Sequence, residues 1–465
     1  MEVLTQCIKT VQSFLWDYLL VFLLCGVGLF FSITLKGVQF RRFAAGLREM
    51  FSGFSLKGKQ AGKHGMSSFQ AVATAIAGQV GTGNLAGAAT ALVLGGPGAI
   101  FWMWLSALLG MATIYAEALL AQRFRTADAD GQTVGGPAYY IEKGLHSKWL
   151  ARIFSVLLIL ALGFTGNMVQ SNTIAAAFET SFGLPRVAGG LLVAAFAAVI
   201  LLGGIRRIAS FTEKVVPVMA CLYLAGTLAV LILHYDRILP ALASIFAAAF
   251  RPAAAFGGVA GYSLMKAMKF GVARGLFSNE AGMGSTPHAH AVALVDRPEK
   301  QGHVAIVSVF FDTFVVLTMT ALAILTSGVL PGMLSEEAGI DVTQAAFGTS
   351  LGGFGGPFIA LCLLFFAFST IISWTYYGET NIRYLFRSPA AVPVYKGLVV
   401  GFVFLGSLFR SDVIWALSDV FNGLMVIPNL TALVLLCPMV FAMNREDTGR
   451  GRLEREARRR KDLAG

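Results

Sequence analysis

The chain has 465 residues, of which 56% are hydrophobic and 13% are charged, with a mean hydropathy of +0.71 and a formal net charge of +11. So many apolar residues and so few charged ones exclude a soluble globular protein. The hydrophobic residues form long continuous segments, whereas a transmembrane β-barrel has short alternating ones, so the composition predicts an all-α, polytopic membrane protein.

Eleven hydrophobic segments are long enough to cross a hydrocarbon core, which takes about 20 residues as a helix. They lie at residues 17–35, 67–95, 97–122, 150–182, 187–204, 215–234, 257–294, 303–328, 354–384, 394–409 and 413–443. The first segment lacks a basic leading region, and we interpret it as a retained span, not a signal peptide. Residues 235–256 are predicted to form a short re-entrant or surface helix on the outside.

Lysine and arginine are distributed unequally between alternate loops. If the amino terminus lies outside, the inside segments carry 27 of the 36 basic residues and the outside segments carry five. This asymmetry follows the positive-inside rule, which predicts an external amino terminus and a cytoplasmic tail. The basic tail is expected to meet anionic headgroups of the lipid bilayer, and the distribution argues against a nucleic-acid partner.

The loop between the first two spans holds apolar residues at helical spacing, with arginines between them. The apolar residues are Phe40, Phe43, Leu47, Met50, Phe51 and Phe54. This pattern predicts an amphipathic helix that lies in the cytoplasmic interface of the membrane. The alternative is a helix that packs against the underside of the bundle.

Two predicted spans contain glycine-rich interruptions at mid-membrane depth. Gly81–Gly87 reads Gly-Thr-Gly-Asn-Leu-Ala-Gly, and its last four residues have a counterpart in Asn-Glu-Ala-Gly at Asn279–Gly282. Irregular backbone at this depth is tolerated only where it is buried in protein or lines a cavity. Broken helices of this kind mark the midplane binding sites of secondary transporters, so the two interruptions predict a solute site.

Each interruption begins a set of five spans, and an odd number of spans inverts the second set relative to the first. The predicted organisation therefore has four parts. They are residues 1–66 with an extra transmembrane helix and the amphipathic loop, residues 67–256 as the first inverted repeat, residues 257–443 as the second, and residues 444–465 as the basic cytoplasmic tail.

Residues 95–110 read Gly-Gly-Pro-Gly-Ala-Ile-Phe-Trp-Met-Trp-Leu-Ser-Ala-Leu-Leu-Gly and resemble the signature of the alanine or glycine:cation symporter family. Gly81–Gly87, Gly135–Ile141 and Ser278–His288 resemble the same family in the same order, so the resemblance covers the whole chain. It implies the leucine-transporter fold, with ten core helices in two inverted repeats after one extra helix. It also implies sodium-coupled uptake of small neutral amino acids, such as alanine and glycine, across the cell membrane.

A helix break frees N–H groups on one side and carbonyl groups on the other, which suit the carboxylate and the ammonium of an amino acid. In the implied fold, the absence of Asp and Glu from residues 67–95 favours such a substrate over a monoamine. The predicted substrate-binding residues are Gln79, Thr82, Gly83, Asn84, Asn167, Gln170, Phe277, Ser278, Asn279 and Trp374. Glycines that only allow tight packing, and amides that only link helices, are the alternative.

The resemblance also implies a sodium site made by two hydroxyl groups and three backbone carbonyls. Its members are Ala77, Val80, Phe366, Ser369 and Thr370. Ser and Thr that bond back to their own helix are the alternative interpretation.

Glu280 is an intramembrane carboxyl group, and such groups are functional by default. It is expected either to take part in coupling, with a proton as a second possible ion, or to pair with a buried basic residue such as Arg274.

Two other function classes compete with a transporter. An intramembrane hydrolase would use Ser278 as the nucleophile and His288 or His290 as the base, but no Gly-x-Ser-x-Gly motif or third group accompanies them. A channel would need a carbonyl filter or a ring of charges, and neither is visible. The sequence therefore predicts a secondary transporter without enzymatic activity.

Overall fold

A computed structural model describes residues 2–52, 65–128, 131–250, 264–333, 339–386, 388 and 390–462. Within these residues the only sheet is a two-stranded antiparallel hairpin, β1 (Thr126–Ala127) with β2 (Thr133–Val134). The rest is helix and short connections. Eight helices in the described part are long and apolar enough to cross a membrane, and two shorter apolar helices, Gly83–Gly95 and Arg186–Leu201, accompany them.

The first half of the described chain contains thirteen α-helices. They are α1 (Glu2–Phe14), α2 (Leu20–Thr34), α3 (Val38–Arg41), α4 (Phe43–Ser52), α5 (Ser68–Gln79), α6 (Ala88–Gly95), α7 (Gly98–Arg123), α8 (Pro137–Leu145), α9 (Lys148–Leu158), α10 (Asn167–Phe182), α11 (Arg186–Leu201), α12 (Gly204–Leu233) and α13 (Tyr235–Phe250). Three π-helical segments continue helices, at Leu15–Leu19, Gly83–Gly87 and Ile159–Gly166.

The second half is built in the same way. Its described α-helices are α14 (Leu264–Asn279), α15 (Pro287–Ala291), α16 (Pro298–Phe310), α17 (Thr318–Ser327), α18 (Ile340–Leu351), α19 (Gly355–Leu385), α20 (Ala391–Leu408), α21 (Ser411–Leu435) and α22 (Cys437–Asp462). A π-helical segment, Phe311–Leu317, joins α16 to α17, and short 3-10 turns lie at Leu330–Gly332 and Gly352–Phe354.

Each of the eleven predicted spans overlaps one or more of these described helices. The last predicted span ends earlier than expected, at Leu435, and α22 begins anew at Cys437. Pro438 explains the stop, because proline has no N–H to continue a helix but fits the first turn of a new one. Residues 251–263 lie outside the described residues and include the predicted boundary between the repeats, so the division into repeats stays a prediction.

The outer surface of the bundle is apolar. Phe196 and Val199 on α11, Leu228 and Ile232 on α12, and Leu398 on α20 are all half-exposed or more. A surface of this kind would be unfavourable in water but suits contact with lipid chains. It agrees with the transmembrane class that the composition predicts.

Helix α4, in the loop after the first span, packs against the bundle, which is the alternative to a helix that lies only in the membrane interface. Phe43 on α4 meets Phe310 on α16 with ring centroids 4.8 Å apart, and the two helices are in extensive contact. Phe51 on α4 and Phe40 on the preceding helix α3 remain exposed. The helix therefore packs on the bundle with one face, and Phe54 lies outside the described residues.

The two interrupted spans lie at the centre, between α7, α10 and α19. The first of them begins with a capping box, in which Ser67 and Gln70 exchange side-chain-to-backbone hydrogen bonds of 3.1 Å. This exchange satisfies N–H groups that the first helical turn leaves unpaired. The start of α5 is thus fixed locally, and the interruption occurs three turns later.

Candidate substrate and cation site

The first interrupted helix breaks where the sequence predicts. Helix α5 ends at Gln79, and a π-helical segment begins at Gly83. Between them Val80 has φ −82° and ψ 91°, an extended conformation that stops the helical hydrogen-bond pattern. The backbone groups freed here must find partners, because no water is available in a hydrocarbon core.

Side-chain amides take up two of the freed N–H groups. Gly81 N–H donates to Asn84 Oδ1 at 2.9 Å, and Thr82 N–H donates to Gln170 Oε1 at 3.1 Å. Three polar atoms around the same break are buried without a hydrogen-bond partner, namely Gln79 Oε1, Thr82 Oγ1 and Gln170 Nε2. Since buried polar groups are normally paired, this cluster has the character of a ligand site.

The carbonyl side of the first break faces two hydroxyl groups of α19. Thr370 Oγ1 lies 2.9 Å from Ala77 O, 3.5 Å from Val80 O and 3.0 Å from Phe366 O. Ser369 Oγ lies 2.9 Å from Phe366 O and 3.5 Å from Ala77 O. All five predicted cation ligands therefore contribute oxygen atoms to one small, fully buried region.

This oxygen cluster fits a hard cation. Carbonyl and hydroxyl oxygens are the ligands such ions prefer, and a hydroxyl can rotate to turn its lone pairs inward. A methyl group on Gly81 would collide with Thr370 Oγ1 and come within 3.1 Å of Gln170 Oε1. The glycine lets α19 and α10 approach the break closely, so that the backbone near Gly81 borders both the predicted cation site and the predicted substrate site.

The second break is longer and more irregular. Helix α14 ends at Asn279 and α15 begins at Pro287. Between them Glu280, Gly282 and Gly284 have positive φ angles of 59°, 94° and 80°. Glu280 is a non-glycine residue in a left-handed conformation, which is uncommon and is often found at functional sites.

A buried carboxyl group that the sequence analysis missed joins the two breaks. Asp312, in the π-helical segment between α16 and α17, accepts a hydrogen bond from Asn84 Nδ2 at 2.6 Å. It also accepts bonds from Ser278 Oγ at 2.9 and 3.0 Å and from Thr313 Oγ1 at 2.9 Å. One predicted substrate residue from each broken helix is thereby held by the same carboxyl group.

Asn279 provides a second link between the breaks. Its backbone oxygen accepts a hydrogen bond from Gln79 Nε2 at 2.9 Å. Its side chain donates to Thr313 Oγ1 at 3.2 Å and accepts from Ala281 N–H at 3.0 Å. Asn279 and Gln79 are therefore in contact, and their shared binding of a substrate stays a prediction.

Aromatic side chains form an apolar wall beside these polar groups. The rings of Phe277 and Trp374 pack edge to face with centroids 5.5 Å apart, and the Trp415 ring centroid lies 4.7 Å from that of Phe277. Gly166 on the neighbouring span has no side chain to compete with the Trp374 indole. Phe277 and Trp374 are both buried, and their contact with a substrate stays a prediction.

The predicted ion pair between Glu280 and Arg274 is not formed. Arg274 pairs with Asp419 on α21, and both residues are almost fully buried. Glu280 accepts hydrogen bonds from the Trp374 indole and from Ser285 Oγ. Because Arg274 and Glu280 lie on opposite sides of the point where α14 ends, the two side chains reach different neighbours.

Asn167 contributes differently from the other predicted substrate residues. Its amide donates to Gly163 O at 3.1 Å and to Thr375 Oγ1 at 3.2 Å, and in the described residues it makes no bond to either break. Its Oδ1 atom is buried without a partner. In this arrangement Asn167 links its own span to α19, which is the helix-linking alternative.

The groups needed for a hydrolase are not assembled. Ser278 Oγ donates to Asp312, whereas His288 Nδ1 lies 2.7 Å from Ser285 O and its Nε2 lies 2.8 Å from Asn381 Nδ2. Nucleophile and base must be within hydrogen-bond reach of each other for this chemistry. Neither His288 nor His290 bonds to Ser278.

Three buried acidic residues at or near the site were missed by the sequence analysis: Asp312, Glu117 and Asp419. Each lies inside a predicted span, at 303–328, 97–122 and 413–443 respectively. The rule that singled out Glu280, that an intramembrane carboxyl group is functional by default, would have found all three. Their apolar neighbours conceal them when hydropathy is averaged over a window.

Two helices broken at the centre of an all-helical bundle, with an oxygen cluster and unpaired polar atoms at the first break, are typical of a secondary transporter. The solved structure of MhsT in complex with L-phenylalanine matches with a TM-score of 0.55 at 15% identity, covering 83% of this chain and 99% of that one, which gives the leucine-transporter fold. A model of the sodium:alanine symporter family matches residues 1–457, and the chain belongs to that family.

Two curated relatives agree with this assignment along nearly their whole length. The sodium/alanine symporter AgcS of Methanococcus maripaludis is 40% identical over 439 residues, which are 93% of this chain and 95% of the relative. The amino-acid carrier protein AlsT of Bacillus subtilis is also 40% identical, over 94% of this chain and 90% of the AlsT chain. The family consists of transporters, so this chain is a multi-span membrane transporter and not an enzyme.

Proposed function

We propose that this protein takes up small neutral amino acids, such as alanine and glycine, across the cell membrane together with sodium ions. The observation that carries the proposal is the convergence of three backbone carbonyls and the hydroxyls of Ser369 and Thr370 at the first break. The names of the family and of AgcS support the same ion and substrate class.

The substrate is proposed to lie between the breaks with its carboxylate toward Thr82, Gly83 and Asn84. The positive end of the half-helix that begins there favours an anion. The unpaired atoms of Gln79, Thr82 and Gln170 supply further hydrogen bonds. The short side chain of the substrate is proposed to contact the aromatic wall of Phe277 and Trp374.

Transport into proteoliposomes tests the proposal. A membrane potential of 100 mV contributes about 2.3 kcal/mol for each sodium ion, which corresponds to roughly fiftyfold accumulation before any sodium gradient is counted. We expect labelled alanine to accumulate with an inward sodium gradient and to stop accumulating when choline replaces sodium at constant pH. Uptake that is unchanged by this replacement would exclude sodium coupling.

A proton is the second candidate for the coupling ion. Glu280 is fully buried, and its hydrogen-bond donors, Trp374 and Ser285, are neutral. A carboxyl group in such a site is more easily accommodated with a proton bound. The same vesicles, free of sodium and given an inward proton gradient, distinguish the two ions: accumulation under these conditions identifies the proton.

The orientation proposed from the basic residues has the amino terminus outside and the tail at residues 444–465 in the cytoplasm. Single cysteines introduced at Gln6 and at Gly449 in a cysteine-free background test it in intact cells. A membrane-impermeant maleimide should label position 6 and spare position 449. The reverse labelling would overturn the orientation and, with it, the assignment of the repeats.

A further inference from the structure

We infer that Glu117 is a positioning residue of the transport cycle, whose carboxyl group holds the second helix break in its substrate-binding shape. This inference rests on the proposed function. Glu117 lies within α7, is fully buried, and belongs neither to the predicted cation cluster nor to the predicted substrate residues.

The backbone of the second break depends on Glu117 for its hydrogen bonds. Gly284 N–H donates to Glu117 Oε1 at 2.9 Å, and Gly282 N–H donates to Glu117 Oε2 at 3.2 Å. Both glycines have positive φ angles, so their N–H groups point away from the helical direction. The two oxygens of one carboxyl group therefore replace the two carbonyl acceptors that a continuous helix would have offered.

A second layer orients the carboxyl group. Asn429 Nδ2 on α21 donates to Glu117 Oε1 at 2.6 Å and to Gly282 O at 2.9 Å. The Asn429 Oδ1 atom in turn accepts a hydrogen bond from the Tyr140 hydroxyl on α8. Helices α7, α8 and α21 thus meet at one point on the break.

The donors around Glu117 are neutral, which separates it from the paired carboxyl groups of this protein. Among the described residues Glu117 makes no ion pair, whereas Glu379, also buried, pairs with Lys396 at 2.9 Å and with Arg383 at 3.0 Å. A carboxyl group with backbone donors fixes a backbone shape, because its hydrogen bonds are lost if that shape changes.

The shape held by Glu117 matters for the substrate more than for the cation. The break begins at Asn279, whose side chain and backbone belong to the predicted substrate residues, and continues to Gly282 without an intervening helical turn. The predicted sodium ligands lie on α5, the first break and α19, and none of them bonds to Glu117. A change at Glu117 should therefore weaken substrate binding and leave sodium binding nearly intact.

Glu117→Gln tests this separation, because an amide has one acceptor atom where a carboxylate has two. In purified protein, sodium binding without amino acid is followed by tryptophan fluorescence, and labelled alanine binding is measured at saturating sodium. We expect the alanine Kd of Glu117→Gln to rise roughly tenfold, with the sodium half-saturation within about twofold of wild type. An alanine Kd within about threefold of wild type, or a parallel loss of both affinities, overturns the inference.

Two further variants keep the test decisive. Glu379→Gln removes another buried carboxyl group, which lies nine residues after Thr370 on α19. This control should change neither the alanine Kd nor the sodium half-saturation. If Glu117→Gln does not fold, Tyr140→Phe decides, since it removes only the outer hydrogen bond. A rise of about threefold in its alanine Kd with unchanged sodium binding supports the inference, and a wild-type alanine Kd overturns it.

The controls also separate this inference from the proposed function. If the wild-type protein shows no sodium-dependent alanine binding, the proposed function fails. If the wild type binds both solutes and Glu117→Gln behaves like it, only the role of Glu117 fails.

Discussion

The two helix breaks differ in which backbone groups they present and in what satisfies them. The first break is short, and its N–H groups meet neutral amides while its carbonyls face the hydroxyls of Ser369 and Thr370. The second break is longer, has three left-handed residues, and directs its N–H groups to the carboxyl group of Glu117. The carbonyl groups on one side of the first break suit a cation, whereas the N–H groups of the second break are already bound to a fixed carboxyl group.

This difference suggests a division of labour. A site built from neutral oxygens can bind and release a cation without leaving a buried charge unpaired, whose cost in a low-dielectric interior is high. A break held by a carboxyl group is instead fixed in shape. Asp312 connects the two, because it accepts bonds from Asn84 on the first broken helix and from Ser278 on the second.

The largest effect is expected when a side chain is added to the first break. A methyl group at Gly81 would fall on Thr370 Oγ1, so Gly81→Ala should lose up to about 3 kcal/mol of binding energy, roughly 150-fold in affinity, for sodium and alanine together. Sodium-dependent alanine uptake measures it. Gly397→Ala on α20, where a methyl group meets nothing within 4 Å, is the matched control and should transport normally.

Single ligand deletions are expected to have an effect that is no larger and that falls on one of the two ligands only. Thr370→Ala removes a hydroxyl from the cation cluster and should weaken apparent sodium affinity by about 1.5–3 kcal/mol, roughly 10- to 150-fold. Extra sodium should then restore alanine binding, because linkage between two ligands is reciprocal.

Gln170→Ala, the paired variant, removes the acceptor of Thr82 N–H and should leave a substrate defect that sodium does not rescue. Titration of alanine binding against sodium compares the two variants directly. An identical sodium response in both would contradict the proposed separation of cation and substrate ligands.

The smallest effect concerns the link between the breaks. Asp312→Asn keeps the size of the side chain but replaces one acceptor oxygen by a donor, so one of the bonds from Asn84, Ser278 and Thr313 is lost. We expect the binding free energy of alanine to weaken by about 1 kcal/mol, which is roughly a fivefold loss of affinity. Equilibrium binding at saturating sodium measures it, and an alanine affinity equal to wild type would mean that the breaks are joined by other contacts.

Much of the site could be predicted from the sequence. The positions of both breaks follow from glycine, threonine and asparagine inside hydrophobic segments, which is a local property of the chain. The cation ligands follow from the family resemblance, and the structure brings Ala77, Val80, Phe366, Ser369 and Thr370 together. The ion pair of Arg274 with Glu280, one of the two alternatives for Glu280, is not formed, because Arg274 pairs with Asp419, 145 residues further along the chain.

By itself, the sequence determined the membrane class, the helical spans and the two points at which helices break, since each depends on hydropathy and backbone preference within about 20 residues. Only the tertiary structure decided which side chains satisfy those breaks. Glu117 is 167 residues from Gly284, and Asn84 is 228 residues from Asp312. Contacts over such separations depend on how the helices pack, which no local pattern specifies.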